Sequence, residues 1–210
     1  INRHLKVMQI DTLIVGAGAA GLMAAAYTGG RTLVVDHAKK PAEKIRISGG
    51  GRCNFTNLYC SPENFLSQNR HFAKSALARY TQWDFIDLIA QHGIAYHEKT
   101  LGQLFCDNSA KDIIAMLLAE IDKVGAQLWL QTSVSDVEKT DAGFKAVLTK
   151  DGTKTAIKCT NLIVASGGKS IPKMGATGWG YDLARQFGLN IITPKPALVP
   201  LTFGPDVMDQ

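Results

Sequence analysis

Short apolar runs alternate with a helical pattern in the first part of the chain. Residues 10–15 and 32–35 are mostly apolar runs of strand length, and residues 17–27 between them are rich in alanine. Uninterrupted apolar runs are typical of strands that are buried on both faces, as in a parallel sheet. Gly29 or Gly30 can end the intervening helix. The chain is therefore predicted to open with a β-α-β unit.

Two helices are predicted in the middle of the chain. Thr81 and Asp84 have the spacing of a capping box at the start of a helix. Ser109 and Asp112 predict the start of a second helix, which a glycine ends. Apolar residues in this second helix recur every three or four positions, so one of its faces is expected to pack against a sheet.

The period of the apolar positions changes to two in the following segment, which predicts β-structure. Strands are expected at 129–137, 144–149 and 155–157, with tight glycine-containing turns between them. A last buried strand is expected at 162–165. Together these elements predict an α/β fold, a three-layer Rossmann-like domain with a parallel sheet and a β-meander.

A glycine-rich turn joins the first predicted strand to the first helix. Gly16, Gly18 and Gly21 have the spacing G-x-G-x-x-G. In such a turn the first glycine permits tight bending, and the second lets a pyrophosphate approach the backbone. Asp36 closes the second strand, where a carboxylate can accept hydrogen bonds from the hydroxyls of an adenosine ribose. The strand, the helix and the acid together predict a dinucleotide site.

A second glycine-rich segment favours FAD over NAD as the dinucleotide. Residues 48–51 read Ser-Gly-Gly-Gly and are expected to form a backbone nest that can surround a phosphate or the edge of a flavin. Arg52 adds a fixed positive charge beside them. The β-meander and the strand that ends in residues 165–168, Ala-Ser-Gly-Gly, resemble the second half of the FAD site in glutathione-reductase-type flavoproteins.

Composition and charge add a few constraints. The 210 residues are 46% hydrophobic and 20% charged, as expected of a globular protein. The four cysteines lack C-x-x-C spacing and are interpreted as free thiols in a reducing compartment. No apolar stretch is long enough to span a membrane. The histidines show no metal-ligand spacing, so no metal site is predicted. The net charge of +5 occurs without a basic run, so a nucleic acid is not expected as a partner.

The chain is also similar to a known family. Residues 44–57, KIRISGGGRCNFTN, and residues 16–23, GAGAAGLM, resemble the YhiN/BaiN-like flavoproteins, which are often described as aminoacetone-oxidase-like. The similarity extends over nearly all of residues 8–203 and implies bound FAD, a cytoplasmic location and oxidoreductase activity. Cys106, Ser166 and Trp179 depart from the residues that are usual in this family, and the first helix is about one turn short.

The resemblance implies which residues hold the cofactor. The pyrophosphate would lie against the first glycine-rich turn, and Asp36 would bind the ribose. The flavin would lie along the second glycine-rich segment, and Val134 would meet the adenine. The sequence itself has no second cysteine at a short fixed offset from Cys53, so Cys53 is expected to pack in the fold or line the cofactor rather than act as a catalytic thiol. The expected set is Gly16, Gly18, Ala19, Ala20, Gly21, Asp36, Lys44, Ser48, Gly49, Gly50, Gly51, Arg52, Cys53, Asn54, Val134, Ala165, Ser166, Gly167 and Gly168.

The resemblance further implies that the chain is one part of a longer protein. Met8 directly precedes the first predicted strand, so residues 1–7 are expected to form a leader. Residues 8–195 are expected to form the FAD-binding domain, and residues 196–210 an exit segment toward a substrate domain. The resemblance implies that this chain lacks both the substrate domain and the C-terminal completion of the FAD domain. The expected function is that of an FAD-dependent oxidoreductase acting on a small molecule, with NAD(P)H as a candidate reductant. An RNA-binding flavoprotein acting on tRNA and a non-catalytic FAD-domain fragment are the alternatives. No catalytic residue and no oligomeric state are assigned.

Overall fold

The computed structural model describes residues 6–171, 175 and 177–195, which form nine strands and six α-helices. The strands are β1 Lys6–Val15, β2 Thr32–Val35, β3 Asn54–Asn57, β4 Tyr96–Glu98, β5 Gln103–Cys106, β6 Gln127–Trp129, β7 Thr132–Thr140, β8 Gly143–Lys150 and β9 Thr153–Val164. The helices are α1 Ala19–Tyr27, α2 Glu43–Ile47, α3 Lys74–Arg79, α4 Gln82–Gln91, α5 Ala110–Lys123 and α6 Trp179–Gln186. Two short 3-10 helices lie at Ser48–Gly51 and Pro62–Asn64.

A six-stranded sheet in the order β6-β2-β1-β9-β8-β7 organises the domain. Strands β6, β2, β1 and β9 are parallel neighbours, whereas β7, β8 and β9 form an antiparallel meander. Strand β9 belongs to both parts, because β1 pairs with it from Thr155 to Val164 and β8 pairs with it from Thr153 to Cys159. The predicted fold, a Rossmann-like domain with a parallel sheet and a β-meander, is confirmed.

The central strands are covered on both faces, which explains their uninterrupted apolar sequences. Ile14 packs on one face with Ile113 and other side chains of α1 and α5. Its neighbour Leu13 points to the other face, where it packs with Leu148 of the meander and Leu183 of α6. Full burial of a side chain of this size contributes about 1.5–3 kcal/mol. The two cores together give three layers, with the sheet in the middle.

The predicted helix starts are confirmed by their caps. The Thr81 hydroxyl accepts a hydrogen bond from the backbone N–H of Asp84, and the Asp84 carboxylate accepts one from the backbone N–H of Thr81 at 2.7 Å. The Ser109 hydroxyl accepts a hydrogen bond from the backbone N–H of Lys111 at the start of α5. These local bonds satisfy backbone donors that have no partner inside the helix.

Three strand boundaries differ from the sequence predictions. The strand expected at 129–137 is two strands, β6 and β7, because the chain turns at Gln131, which has a φ of +52°. The strands expected at 155–157 and 162–165 are one strand, β9, because β1 pairs along its length. Strand β1 begins at Lys6, so its first two residues belong to the expected leader.

A second sheet of three antiparallel strands, in the order β3-β5-β4, was not predicted. Its strands have only three or four residues, which is too short to show a period of two in the sequence. Strand β3 directly follows the second glycine-rich segment and so fixes one end of it to a sheet. The expected exit segment, 196–210, lies outside the described residues.

Candidate functional site

A cleft of about 430 Å³ opens at the carboxyl ends of β1, β2 and β9. Val15 and Val35, the last residues of β1 and β2, line it together with Ala165, which follows β9. The carboxyl ends of strands in an open parallel sheet are where such folds bind ligands, and the volume is in the usual range of small-molecule sites. The predicted residues that line the cleft are Gly16, Gly18, Ala19, Ala20, Asp36, Lys44, Val134, Ala165, Ser166 and Gly167.

The three glycines of the first turn are needed for different reasons. A Cβ on Gly16 would overlap the carbonyl oxygen of Ala165, and a Cβ on Gly21 would overlap the carbonyl oxygen of Gly16. These two glycines are therefore required by the packing of the fold itself. A Cβ on Gly18 would meet nothing within 4 Å, and its φ of −83° is open to any residue. The space beside Gly18 belongs to the cleft and is available to a ligand.

Helix α1 begins at the cleft, and no side chain caps its first turn. Gly18 is the N-cap residue, and the first turn contains no acidic residue. Backbone N–H groups at a helix start have no acceptor within the helix, and the helix dipole places partial positive charge there. Ala19 and Ala20 line the cleft with small, exposed side chains. This arrangement is suited to a phosphate group.

Asp36 connects the end of β2 to the glycine-rich turn. One carboxylate oxygen accepts a hydrogen bond from the backbone N–H of Ala17 at 2.7 Å, and the other accepts one from the backbone N–H of Ala38 at 2.9 Å. The Nδ1 atom of His37 lies 3.5 Å from the second oxygen. A carboxylate offers about four acceptor positions. Asp36 can therefore hold the turn and still accept hydrogen bonds from hydroxyl groups of a ligand.

Lys44 reaches across the rim of the cleft. Its ammonium group donates a 2.9 Å hydrogen bond to the hydroxyl of Ser170 and lies 3.5 Å from the carbonyl oxygen of Gly168. These contacts connect α2 to the segment that follows β9 and place Gly168 at the same rim. Because Lys44 is exposed and lines the cleft, its positive charge is available to an anionic ligand.

The second glycine-rich segment, residues 48–54, is not part of the lining of the cleft. Gly49, Gly50 and Gly51 have φ values of +58°, +67° and +86°, which turn the chain before β3. A Cβ on Gly49 would lie 2.7 Å from the ring of Phe105, so packing requires this glycine. Ser48 begins the turn, and Arg52 and Asn54 are exposed beyond it. The predicted residues therefore form two groups, one around the cleft and one in this segment.

Cys53 and Cys106 are buried where this segment meets β5. The backbone N–H of Cys106 donates a 2.9 Å hydrogen bond to the carbonyl oxygen of Arg52. Burial raises the pKa of the Cys53 thiol, and a hydrogen bond with Ser48 opposes this shift only in part. Burial, with a contribution from the nearby Cys53, raises the pKa of Cys106 to about 12. A thiol that stays protonated at neutral pH is a poor nucleophile, so the geometry favours a packed role for Cys53.

Several residues of the cleft were not predicted from the sequence. His37 and Ala38 follow Asp36, and Thr132 and Ser133 precede Val134; a search of the residues flanking each predicted site residue could have found them. Thr177 lies just before α6, and the tertiary structure brings it to the cleft together with Trp179, the first residue of that helix. The remaining lining residues are Lys40, Ala42, Glu43, Ile45 and Gly175.

Two further features of the described part of the chain are the character of its helices and the grouping of its metal-ligating side chains. None of its helices combines the length and the apolar character needed to cross a bilayer. Among the same residues, no group of three or more His, Cys, Asp or Glu side chains could hold a metal ion.

Comparison with known proteins identifies the family. The sequence profile of the HI0933-like protein Rossmann domain matches residues 10–204. The chain belongs to this family. The match includes both glycine-rich segments, and it confirms the resemblance to the YhiN/BaiN-like flavoproteins at the level of the family. A solved structure described as the open conformation of a flavocytochrome c3 fumarate reductase has the same fold, with a TM-score of 0.58 and 19% identity over 85% of this chain and 40% of that chain.

Two relatives have names that describe an activity. A ribosomal RNA dihydrouridine synthase of Escherichia coli (strain K12) is 50% identical over 205 residues, which are 96% of this chain and 50% of the relative. A 3-dehydro-bile acid delta(4,6)-reductase of Clostridium scindens is 26% identical over 194 residues, which are 90% of this chain and 46% of the relative. The chain thus spans about half the length of these relatives.

These relatives correct one prediction about partners. The expectation that nucleic acid is not a partner is wrong, because a relative that is 50% identical is named for ribosomal RNA. The expectation depended on the absence of a continuous basic run, but folding can bring together cations that are separated in sequence. The names of the two relatives mention neither an aminoacetone oxidase nor NAD(P)H, and the role of NAD(P)H stays a prediction.

Proposed function

We propose that this chain binds FAD in the cleft and belongs to a flavin-dependent reductase that saturates a carbon–carbon double bond of uracil in RNA. The observation that carries the cofactor assignment is Gly18. Packing does not require a glycine there, but the space beside it lies in the cleft at the start of α1. The RNA substrate is supported by the name of the Escherichia coli relative, which is 50% identical to this chain.

The residues of the cleft fit the adenosine and pyrophosphate parts of FAD. The uncapped N-terminus of α1, with Gly18, would hold the pyrophosphate. Asp36 would accept hydrogen bonds from the ribose, and the start of β7 with Val134 would meet the adenine. Lys44 would compensate negative charge at the rim. Residues 48–54 and 165–168 are assigned to the flavin end.

Bound FAD would supply hydride transfer. In uracil the C5–C6 double bond is conjugated with the C4 carbonyl group, so a group that polarises this carbonyl would assist its reduction. The Clostridium scindens relative is named as a reductase, which favours reduction over amine oxidation as the reaction type. The residues of this chain would position the cofactor and exclude water from it. The predicted compartment remains the cytoplasm, which contains ribosomal RNA.

The cofactor assignment is tested by releasing the bound flavin. The purified protein is heated, and the released compound is identified by chromatography against FAD and FMN standards. We expect FAD, because the cleft has a site for the adenosine half of the molecule. FMN would contradict the assignment of Asp36 and Val134, and a protein without flavin would contradict the proposal as a whole.

The substrate assignment needs a separate measurement. Ribosomal RNA from cells that lack the related synthase is incubated with the dithionite-reduced protein, and dihydrouridine is measured by mass spectrometry after nuclease digestion. We expect dihydrouridine to form, and a Gly18→Val variant serves as the flavin-free control. Parallel reactions with NADH and NADPH test the reductant. If the reductase to which this chain belongs holds FAD but forms no dihydrouridine, the RNA substrate is refuted and the cofactor assignment stays intact.

A further inference from the structure

A surface of exposed aromatic side chains lies between Tyr59 and Trp83, in the segment that follows β3. Four of the six exposed aromatic side chains in the described part of the chain are found there: Tyr59, Phe65, Phe72 and Trp83. Phe72 is 81% exposed, and the neighbouring Leu66 is 96% exposed. Exposed apolar side chains that lie side by side, as Phe65 and Leu66 do around one pocket, mark sites of interaction. We call residues 59–83 the basic–aromatic surface.

The same surface has an excess of positive charge. It contains Arg70, Lys74 and Arg79 and a single acidic residue, Glu63. All three cations are exposed, and none forms an ion pair with another residue in the described ranges. The charge of this surface is therefore available to an anionic partner.

A cavity of about 390 Å³ brings both properties together. Phe65 and Leu66 line it alongside Arg70 and Lys74. An aromatic ring can stack on a nucleobase, and two cations beside it can neutralise phosphate groups. Glu63 also lines the cavity and could accept a hydrogen bond from an N–H group on the edge of a base. The cavity thus has the chemistry of a nucleotide site.

Hydrogen bonds within the segment hold its turns in place. The Asn64 side chain accepts a 2.8 Å hydrogen bond from the backbone N–H of Ser61, and the Asn69 side chain accepts a 3.1 Å hydrogen bond from the backbone N–H of His71. The Gln82 side chain donates a 3.0 Å hydrogen bond to the carbonyl oxygen of Leu58, which fixes the start of α4 to the start of the segment. The exposed rings are therefore presented by a folded segment.

We propose that the basic–aromatic surface binds single-stranded RNA close to the uridine that is reduced. This inference rests on the proposed function, because the RNA substrate is taken from it. Strand β3 connects residues 48–54, assigned to the flavin end of the cofactor, directly to this surface. A flavoenzyme that reduces a base must remove that base from its stack, and the neighbouring bases then need a new stacking partner. The exposed rings supply such partners, and Arg70, Lys74 and Arg79 supply contacts to the phosphates.

The charges are tested with a matched pair of triple variants. Arg70→Ala/Lys74→Ala/Arg79→Ala removes the cations of the surface, and Lys139→Ala/Lys150→Ala/Lys154→Ala removes three exposed lysines from the meander. Affinity for a fluorescein-labelled oligouridylate is measured by anisotropy at several salt concentrations, with circular dichroism and FAD content as checks of folding. We expect the surface variant to lose at least about tenfold in affinity for the oligouridylate. The slope of log affinity against log salt concentration should become shallower by up to about 2, because each lost phosphate contact removes about 0.7 from it. The meander variant should bind like the unmodified protein.

The stacking role is tested at one position by two conservative changes. Phe72→Leu keeps an apolar side chain but removes the ring, and we expect it to weaken RNA binding about fivefold or more. Phe72→Tyr keeps the ring, and its affinity for RNA should stay within about twofold of that of the unmodified protein. Because Phe72 is exposed, both variants are expected to fold.

The outcomes separate this inference from the function on which it rests. If the unmodified protein binds RNA and both triple variants lose the same affinity, RNA binds elsewhere and the surface assignment is wrong. If the unmodified protein does not bind RNA, the proposed RNA substrate is wrong as well. If the surface variants change only the sedimentation behaviour of the protein, the surface is covered by a second copy or by another protein segment, and the inference is overturned.

Discussion

The carboxylate of Asp36 accepts a 2.7 Å hydrogen bond from the backbone N–H of Ala17, so the acid at the end of β2 holds the glycine-rich turn at the end of β1. The same carboxylate accepts a second hydrogen bond from the backbone N–H of Ala38. The two strand ends that form the cleft are thereby fixed to each other before a ligand arrives. A site whose geometry is held in advance loses less free energy when it binds.

Replacing Asp36 should therefore affect both stability and cofactor binding. In Asp36→Ala the buried N–H of Ala17 has no acceptor, and we expect the free energy of unfolding to fall by about 1–3 kcal/mol. Asp36→Asn keeps one acceptor oxygen and should lose less stability. Both variants should also bind FAD more weakly than the unmodified protein. FAD affinity is measured by flavin fluorescence, and stability is measured by urea unfolding of the flavin-free protein.

Asp11→Ala is the matched control for this experiment. The Asp11 side chain also accepts a backbone hydrogen bond, from the N–H of Arg31 at 2.7 Å, but it lies in an exposed position and does not line the cleft. We expect its FAD affinity to be unchanged. Equal losses of FAD affinity in Asp11→Ala and Asp36→Ala would show that Asp36 acts only through stability.

Gly18→Val should abolish FAD binding and leave the protein folded. The new side chain would enter the cleft at the start of α1, in the space assigned to the pyrophosphate. Gly29→Val is the matched control, because Gly29 also has no atom within 4 Å of an added Cβ but does not line the cleft. Flavin absorbance of the purified variants and their thermal unfolding midpoints are compared. Normal flavin content in Gly18→Val would contradict the cofactor assignment.

Arg52 and Cys53 are neighbours with different predicted roles. Arg52 is exposed and carries the fixed charge of the second glycine-rich segment, so we expect Arg52→Ala to weaken FAD binding or shift the reduction potential of the flavin. Cys53 is buried and its pKa is raised, so Cys53→Ser should leave turnover largely intact. Potentiometric titration and steady-state rates provide the comparison. A larger loss of activity in Cys53→Ser would reverse this assignment.

The four cysteines should differ in their reactivity toward a maleimide. Cys60 is partly exposed, whereas Cys53, Cys106 and Cys159 are buried, and burial raises the pKa of each of these three thiols. The raised pKa values keep the three thiols protonated through neutral pH, so their thiolate fraction should grow only when the pH exceeds the ordinary range of a cysteine. Peptide mapping after brief labelling at neutral pH should therefore find the label at Cys60. Fast labelling of Cys53 would indicate that the segment 48–54 opens in solution.

The sequence by itself determined the features whose causes are local. The turn at Gly16, Gly18 and Gly21 could be predicted because each glycine has a fixed place relative to the strand and the helix on either side. The caps at Thr81 and Ser109 could be predicted because their partners lie within three residues. The resemblance to a family supplied the wider set of expected cofactor residues, which the sequence pattern alone did not separate from ordinary surface positions.

Only the tertiary structure decided which distant segments meet. The contact of Lys44 with Ser170 joins residues 126 positions apart, and no local pattern encodes it. The positive φ at Gln131 divides an expected strand in two, because β6 pairs with β2 while β7 pairs with β8. The exposure of the rings on the basic–aromatic surface was likewise decided by how the segment folds. Long-range pairing and exposure are properties of the whole chain, whereas turns and caps are properties of a few neighbouring residues.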